Sequence, residues 1–86
     1  MSSYELTLVL TETAAKDETQ AKALVSGKIK TTKVWGVRDL AYPIRKAKRG
    51  GYFWFEVELA KDQVANLDKS LRQNDTVLRH LLISKP

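Results

Sequence analysis

The strongest constraint on the fold is the order in which the sequence alternates between a strand-like and a helix-like pattern. Strict alternation of apolar and polar residues indicates a strand, whereas apolar residues three and four positions apart indicate a helix. The predicted segments, in the order strand, helix, strand, strand, helix, strand, are Tyr4–Leu10, a helix within 11–26, Lys28–Ile44, Tyr52–Leu59, Asp62–Gln73 and Val77–Ile83. This order predicts an α+β fold of the ferredoxin-like split β-α-β type, with two helices on one face of a four-stranded antiparallel sheet.

The two predicted helices differ in the strength of their apolar stripes. In the second, Val64, Leu67 and Leu71 recur at helical spacing. The first has a thin stripe made largely of alanine. Its start is marked by Asp17 and Gln20, whose spacing resembles a capping box, and we expect it to end by Gly27.

Three further features of the strands carry predictions. Gly36 lies inside the long second strand and predicts a bulge or bend, and Pro43 predicts that this strand lies at an edge of the sheet because proline has no N–H to donate. The composition of residues 45–51 predicts a hairpin loop. Val77–Ile83 is apolar on both sides, which predicts either a central strand or one that meets a partner.

The overall composition excludes several classes of protein. A chain of 86 residues with 43% hydrophobic residues is expected to fold as one domain, residues 1–86. We expect no disulfide or thiolate zinc site, because the chain has no cysteine. No apolar run reaches the roughly 18 residues of a membrane span, and the N-terminus lacks the pattern of a signal peptide. We therefore expect a cytosolic protein without membrane contact.

The positive charge is concentrated in one quarter of the chain. Residues 28–49 contain eight cations and one acid, a balance of +7, whereas the whole chain carries only +5. Charge gathered in this way predicts an anionic partner on one side of the molecule, and nucleic acid is the first candidate.

Four of these cations form what we call the cationic hairpin: Arg45, Lys46, Lys48 and Arg49. They lie between Pro43 and two glycines, where long side chains can reach a phosphate backbone. The alternative is a solvated hairpin tip without a ligand.

Other basic and aromatic residues near the cationic hairpin extend the candidate site. We predict RNA contacts for Arg38 and Tyr42, although Tyr42 could equally pack against the edge of the core. Secondary RNA contacts are predicted for Lys28, Lys30 and Lys33. These three lysines could instead only keep an edge strand from pairing with other chains.

The sheet face turned away from the helices, here called the open face, is a second candidate surface. By strand alternation it includes Glu5, Thr7, Val9, Tyr52, Trp54, Glu56, Arg79, Leu81 and Ile83. Its aromatic residues could stack on bases, but Glu56 and Glu58 repel phosphate. An apolar face of mixed charge suits a protein partner better. The predicted partner contacts are Val9, Tyr52, Trp54, Arg79, Leu81 and Ile83.

The sequence gives no reason to expect catalysis or a cofactor. His80 is the only histidine, and the alternation of the last strand turns it toward the helices as a core or border residue. No metal-ligand spacing or phosphate-binding glycine motif is present, and Gly50-Gly51 is only a turn signal.

The segment Gly36-Val37-Arg38-Asp39-Leu40-Ala41-Tyr42-Pro43-Ile44 resembles the signature of the ribosomal protein S6 family of the bacterial small subunit. The resemblance continues at Tyr4-Glu5-Leu6 and Gly51-Tyr52-Phe53 and covers nearly the whole chain. It implies a non-enzymatic protein of the small ribosomal subunit, in the cytoplasm, that binds the central domain of small-subunit ribosomal RNA together with ribosomal protein S18.

Compared with that family, the segment between the first strand and Trp35 is shorter by about two helical turns. We therefore expect the first helix to cover the sheet incompletely. Two other functions remain open on the residues alone. One is a free-standing module of the same fold that binds single-stranded RNA, and the other is a small-molecule regulatory domain.

Overall fold

A computed structural model describes residues 2–85. Its strands are β1 (Ser2–Leu10), β2 (Lys28–Ile44), β3 (Ala47–Leu59) and β4 (Val77–Ser84). The helices are α1 (Glu18–Ala23) and α2 (Lys61–Gln73), and a short 3₁₀ turn at Ala14–Lys16 precedes α1. The order of the predicted segments is confirmed.

The four strands form one sheet in the order β2-β3-β1-β4, and all neighbouring strands are antiparallel. Leu6 shows the central position of β1, because it lies opposite Phe55 of β3 on one side and Leu82 of β4 on the other. Both helices pack on the same face of the sheet. The predicted ferredoxin-like fold is confirmed.

The core lies between the helices and alternate residues of the two central strands. Leu6, Leu8 and Leu10 of β1 have no measurable exposure, and Leu67 and Leu71 of α2 pack against them. The matching positions of β3 are equally buried, namely Phe53, Phe55, Val57 and Leu59. This alternation leaves the intervening residues of β1 and β3 on the open face.

The first helix has only six residues. The Asp17 carboxylate caps it by accepting a hydrogen bond from the backbone N–H of Thr19 at 2.8 Å. On the side of the sheet that carries the helices, Val34 of β2 remains 52% exposed and Val37 remains 39% exposed. Coverage of the sheet by α1 is therefore incomplete, as its short length suggested.

The predicted hairpin loop at 45–51 is wrong in extent. Residues 47–51 belong to β3, since Ala47 pairs with Ile44 and Arg49 pairs with Asp39. Only Arg45 and Lys46 form the turn, with φ angles of 50° and 69°. Composition alone suggested a loop because glycines and cations are rare in central strands, but residues 47–50 lie beyond the end of β1 and so are not part of a central strand.

The extension of β2 and β3 forms a two-stranded distal ribbon, residues 38–50. Pairing between β1 and β3 ends at Leu10 and Gly51, so the ribbon projects past the four-stranded part of the sheet. The turn at residues 45 and 46 is its tip. The fold therefore places the cationic hairpin on a protrusion.

Two predictions about β2 are confirmed. Gly36 has a φ angle of 82°, and the register with β3 shifts between Val34 and Gly36, as in a bulge. β2 lies at the sheet edge, so the missing N–H of Pro43 does not remove a hydrogen bond from the centre of the sheet.

The suggestion that the last strand is central is wrong. β4 forms the other edge of the sheet, because β1 occupies the position between β4 and β3. The apolar residues on its second side, Leu81 and Ile83, are 52% and 48% exposed. Their hydrophobicity is not explained by burial among residues 2–85, and the other predicted reason, contact with a partner, stays a prediction. Within residues 2–85, no helix has the length and apolar character needed to cross a membrane.

Candidate nucleic-acid interface and open sheet face

All four residues of the cationic hairpin are exposed. Arg45 and Lys46 form the tip of the distal ribbon, and Lys48 and Arg49 follow on β3, where consecutive residues point to opposite faces. The structure thus keeps all four cations on one protrusion and accessible to a large anion.

The distal ribbon leans toward β4, although β2 lies at the opposite edge of the sheet. At its tip, Arg45 Nη1 donates to the backbone carbonyl of Asp75 at 3.5 Å. Arg79 Nη1 of β4 donates to the hydroxyl of Tyr42, also at 3.5 Å. Both contacts are at the long limit of hydrogen bonding, so they orient the ribbon only weakly. Tyr42 is 61% exposed, which leaves its ring free to stack and disfavours packing against the core.

The cations of the distal ribbon differ in whether an acid neutralises them. Arg49 pairs with Asp39 at 3.2 Å and with Glu12 at 3.9 Å, so this group of three side chains carries a net charge of −1. Arg38 donates through Nε to the carbonyl of Trp35 at 3.4 Å. Among residues 2–85, Lys46 and Lys48 take part in no ion pair.

The three lysines predicted as secondary RNA contacts have different surroundings. Lys30 lies 3.4 Å from Glu58 and 3.6 Å from Glu56. A hydrogen bond from Lys30 to Glu58 and the two nearby carboxylates raise the pKa of Lys30. Lys33 Nζ lies 5.1 Å from the ring centroid of Trp54, in cation–π geometry. Lys28 makes no ion pair within the described part of the chain.

Two of the three acids of the open face, Glu56 and Glu58, are neutralised within the chain, whereas Glu5 takes part in no ion pair among residues 2–85. Lys85 donates to Glu56 at 2.9 Å, and this hydrogen bond lowers the pKa of Glu56 despite its partial burial. Together with Lys30, Lys85 balances the two carboxylates of Glu56 and Glu58. No local pattern in the sequence marks Lys85 as a partner of Glu56, because only the paired strands bring these residues, 29 positions apart, together.

The other end of the open face is apolar and concave. Arg79 and Leu81 are exposed there, as the predicted alternation of β4 requires, whereas Ile83, also exposed, lies in the row of Glu5 and Glu56. A shallow pocket of about 170 Å³ is lined by Thr7, Val9, Tyr52, Arg79, His80 and Leu81. The structure thus brings together four of the six residues predicted to meet a protein partner, while Trp54 and Ile83 flank them along the strands.

Val9 differs from the other predicted partner contacts because it is only 4% exposed. A bulge between β1 and β4 inserts Leu78, so that Val9 pairs with Arg79 and Leu10 pairs with Val77. A Cβ added at Gly50 would meet Val9 Cγ1 at 2.7 Å and Leu78 Cδ1 at 3.4 Å, which places both side chains on the open face. Val9 therefore forms the floor of the pocket and not its accessible rim. Alternation alone could not place Leu78, because it does not reveal the bulge.

His80 faces the helices, as predicted. Its Nε2 donates to Asp68 Oδ1 of α2 at 2.7 Å, and Arg72 contacts the other carboxylate oxygen. The hydrogen bond from His80, supported by Arg72, lowers the pKa of Asp68 below its ordinary value of 3.8, although burial acts in the opposite direction. This contact joins α2 to β4.

Replacing Asp68 with asparagine is expected to destabilise the protein at neutral pH by about 1 kcal/mol, a value reduced for solvent screening because a third of the side chain is exposed. Since the folded pKa of Asp68 is depressed, its contribution is present above 3.8 and is lost as the pH falls through the folded value. Urea denaturation of both proteins at several pH values should show the difference closing in acid. A difference that stays constant to about pH 2 would contradict the assignment.

The comparisons with known proteins agree with this architecture. The family model for ribosomal protein S6 matches residues 3–84. The crystal structure of 30S ribosomal protein S6 from Thermotoga maritima superposes with a TM-score of 0.82 at 19% sequence identity, over 98% of this chain and 87% of that one. At this identity the superposition shows the fold, and the match over residues 3–84 shows the family. The chain therefore belongs to the ribosomal protein S6 family, whose members are structural components of the small ribosomal subunit and not enzymes.

Proposed function

We propose that this protein binds the central domain of small-subunit ribosomal RNA through its distal ribbon and pairs with ribosomal protein S18 through its open face, within the small subunit in the bacterial cytoplasm. The observation that carries the proposal is the separation of the two surfaces. The exposed cations lie on a protrusion, whereas the exposed apolar residues Leu81 and Ile83 lie on the sheet.

The distal ribbon suits an RNA backbone for electrostatic reasons. Lys46 and Lys48 are not neutralised by an acid among residues 2–85, and Tyr42 offers an exposed ring beside them. Lysine and arginine contacts to phosphates release counterions and supply affinity with little dependence on base sequence. Arg38 and Lys28 extend the positive surface along β2, whereas Lys30 and Lys33 are engaged with residues of the open face.

The open face suits a protein for the opposite reason. Two of its three carboxylates, Glu56 and Glu58, are balanced by Lys30 and Lys85, and Glu5 beside them takes part in no ion pair among residues 2–85, so this part of the face offers phosphate no net positive charge. Leu81 and Ile83 offer apolar area beside a shallow pocket, and Arg79 and Tyr52 offer polar atoms at its rim. Apolar centres with polar borders are typical of protein interfaces.

The experiment measures binding of the full chain to purified S18 and to a central-domain RNA fragment. Leu81→Asn should weaken association with S18 by about tenfold, equivalent to about 1.4 kcal/mol. Val34→Asn is the matched control, because Val34 is also 52% exposed but lies on the other face at the other edge. Trp54→Ala should likewise weaken the pairing with S18 more than the direct contact with RNA.

Equal losses for Leu81→Asn and Val34→Asn would contradict the assignment of the open face to S18. The same proteins also test the alternative of a free-standing module for single-stranded RNA. Binding of short unstructured RNA by the isolated chain, with quenching of Trp54 fluorescence that disappears in Trp54→Ala, would favour that alternative.

A further inference from the structure

The tip of the distal ribbon has a backbone conformation that its residues disfavour. Arg45 and Lys46 have φ angles of 50° and 69°, and they form the two-residue connection between Ile44 and Ala47. Two consecutive positive φ values are the pattern of the type I′ hairpin turn, in which asparagine followed by glycine is strongly preferred. A residue with a Cβ atom pays a steric cost in this region.

The side chains of the turn make few contacts among residues 2–85 that could offset this cost. Arg45 makes one hydrogen bond at the 3.5 Å limit, to the carbonyl of Asp75. Lys46 takes part in no side-chain hydrogen bond or ion pair found in residues 2–85, and its side chain is exposed. The two adjacent positive charges also repel each other. Other residues at both positions would therefore make the folded chain more stable.

We infer that the side chains of Arg45 and Lys46 are the principal contacts to RNA phosphates. Their turn keeps its strained conformation for this reason, and the strain lowers the stability of the folded chain. Residues held in sparsely populated backbone regions cluster at functional sites. A two-residue turn also holds both cations at the outermost point of a rigid ribbon, which a longer flexible loop would not do. The inference rests on the proposed RNA binding and names the residues on which that binding depends most.

The test compares the full chain with the variant R45N/K46G, which supplies the preferred turn and retains Lys48 and Arg49. The melting temperature should rise by about 4 °C or more, since relief of turn strain has a large effect in a domain of this size. Affinity for the central-domain RNA fragment should fall by about tenfold or more. The dependence of log K on log salt should become shallower by about 1.4–1.8, as expected for the loss of two phosphate contacts.

Two controls separate strain, charge and position. R45K/K46R keeps both charges and both Cβ atoms, so its melting temperature and its affinity should stay close to those of the wild type. K16Q/K69Q removes the same amount of charge from two exposed lysines outside the distal ribbon and should leave the salt dependence unchanged.

A melting temperature that does not rise in R45N/K46G would overturn the inference, and so would undiminished RNA affinity. Failure of this inference can be distinguished from failure of the proposed function. RNA binding that survives R45N/K46G but is lost when all four cations of the hairpin are removed would overturn only the principal role of the turn. Absence of RNA binding by the wild-type chain, both alone and with S18, would overturn the proposed function and this inference together.

Discussion

Replacing the four residues of the cationic hairpin with alanine is expected to weaken binding to the central-domain RNA by at least about a hundredfold near physiological salt. The change lowers the net charge of the chain from +5 to +1 and removes every cation from the outer end of the distal ribbon. Each lost phosphate contact should also reduce the steepness of the salt dependence by about 0.7–0.9. Filter binding or calorimetry over a series of salt concentrations measures both quantities.

The control for this variant has the same net charge but loses its cations elsewhere. The four exposed lysines to be replaced are Lys16, Lys22, Lys61 and Lys69. If the position of the charge matters, this control should lose much less affinity than the hairpin variant. Similar losses for the two proteins would mean that only the overall charge attracts the RNA, and the hairpin would not be the binding site. Circular dichroism of both proteins checks that the fold is retained.

Gly27→Ala is expected to be among the most damaging single substitutions, with a loss of about 3 kcal/mol in the free energy of unfolding. Gly27 has a φ angle of 91°, and its added Cβ would lie 2.6 Å from the backbone carbonyl of Glu58 and still closer to the side chain of Leu59. A carbonyl in a sheet cannot move aside as a flexible side chain can. Such a loss is a large fraction of the total stability, which is about 4–13 kcal/mol for a chain of this length.

Gly36→Ala separates the two causes of the loss in Gly27→Ala, which are backbone strain and the collision of the added Cβ. Gly36 has a similar φ angle of 82°, but a Cβ added there would meet nothing within 4 Å. Its substitution should cost only the backbone strain, about 1 kcal/mol. The difference between the two variants, measured by urea denaturation, is the cost of the collision with β3. Equal losses would show that Gly27 is not packed against Glu58 and Leu59 as the structure has it.

Much of the fold could be predicted from the sequence because its pattern is local. Alternation along β1 and β3 predicted that Phe53 and Leu6 lie in the core and that Trp54 lies on the open face. The structure buries Phe53 and Leu6 and leaves Trp54 partly exposed. Pro43 and Gly36 marked an edge and a bulge because each lacks an atom that a regular central strand needs. The extent of the hairpin was not predictable in the same way, since a two-residue turn of arginine and lysine has no turn signature in its composition.

The candidate surfaces were predictable as sets of residues but not as contacts. Charge counting identified the segment that carries the positive charge, and the structure leaves its eight cations exposed. It could not distinguish Arg49, which pairs with Asp39 and Glu12, from Lys46, which pairs with no acid within residues 2–85. Glu12 and Arg49 are far apart in sequence, and only the packing of the distal ribbon beside the end of β1 brings them together.

The amino-acid sequence by itself determined the order of the strands and helices, the face that each strand buries and the region in which positive charge accumulates. These properties depend on the periodicity and the side-chain chemistry of neighbouring residues. Only the tertiary structure decided that β4 is an edge strand, that Lys30 and Lys85 neutralise Glu56 and Glu58, and that Arg45 and Lys46 form a strained tip. The physical reason is that strand order, ion pairing and turn geometry depend on which distant segments pair and in which register, and a local pattern does not contain that information.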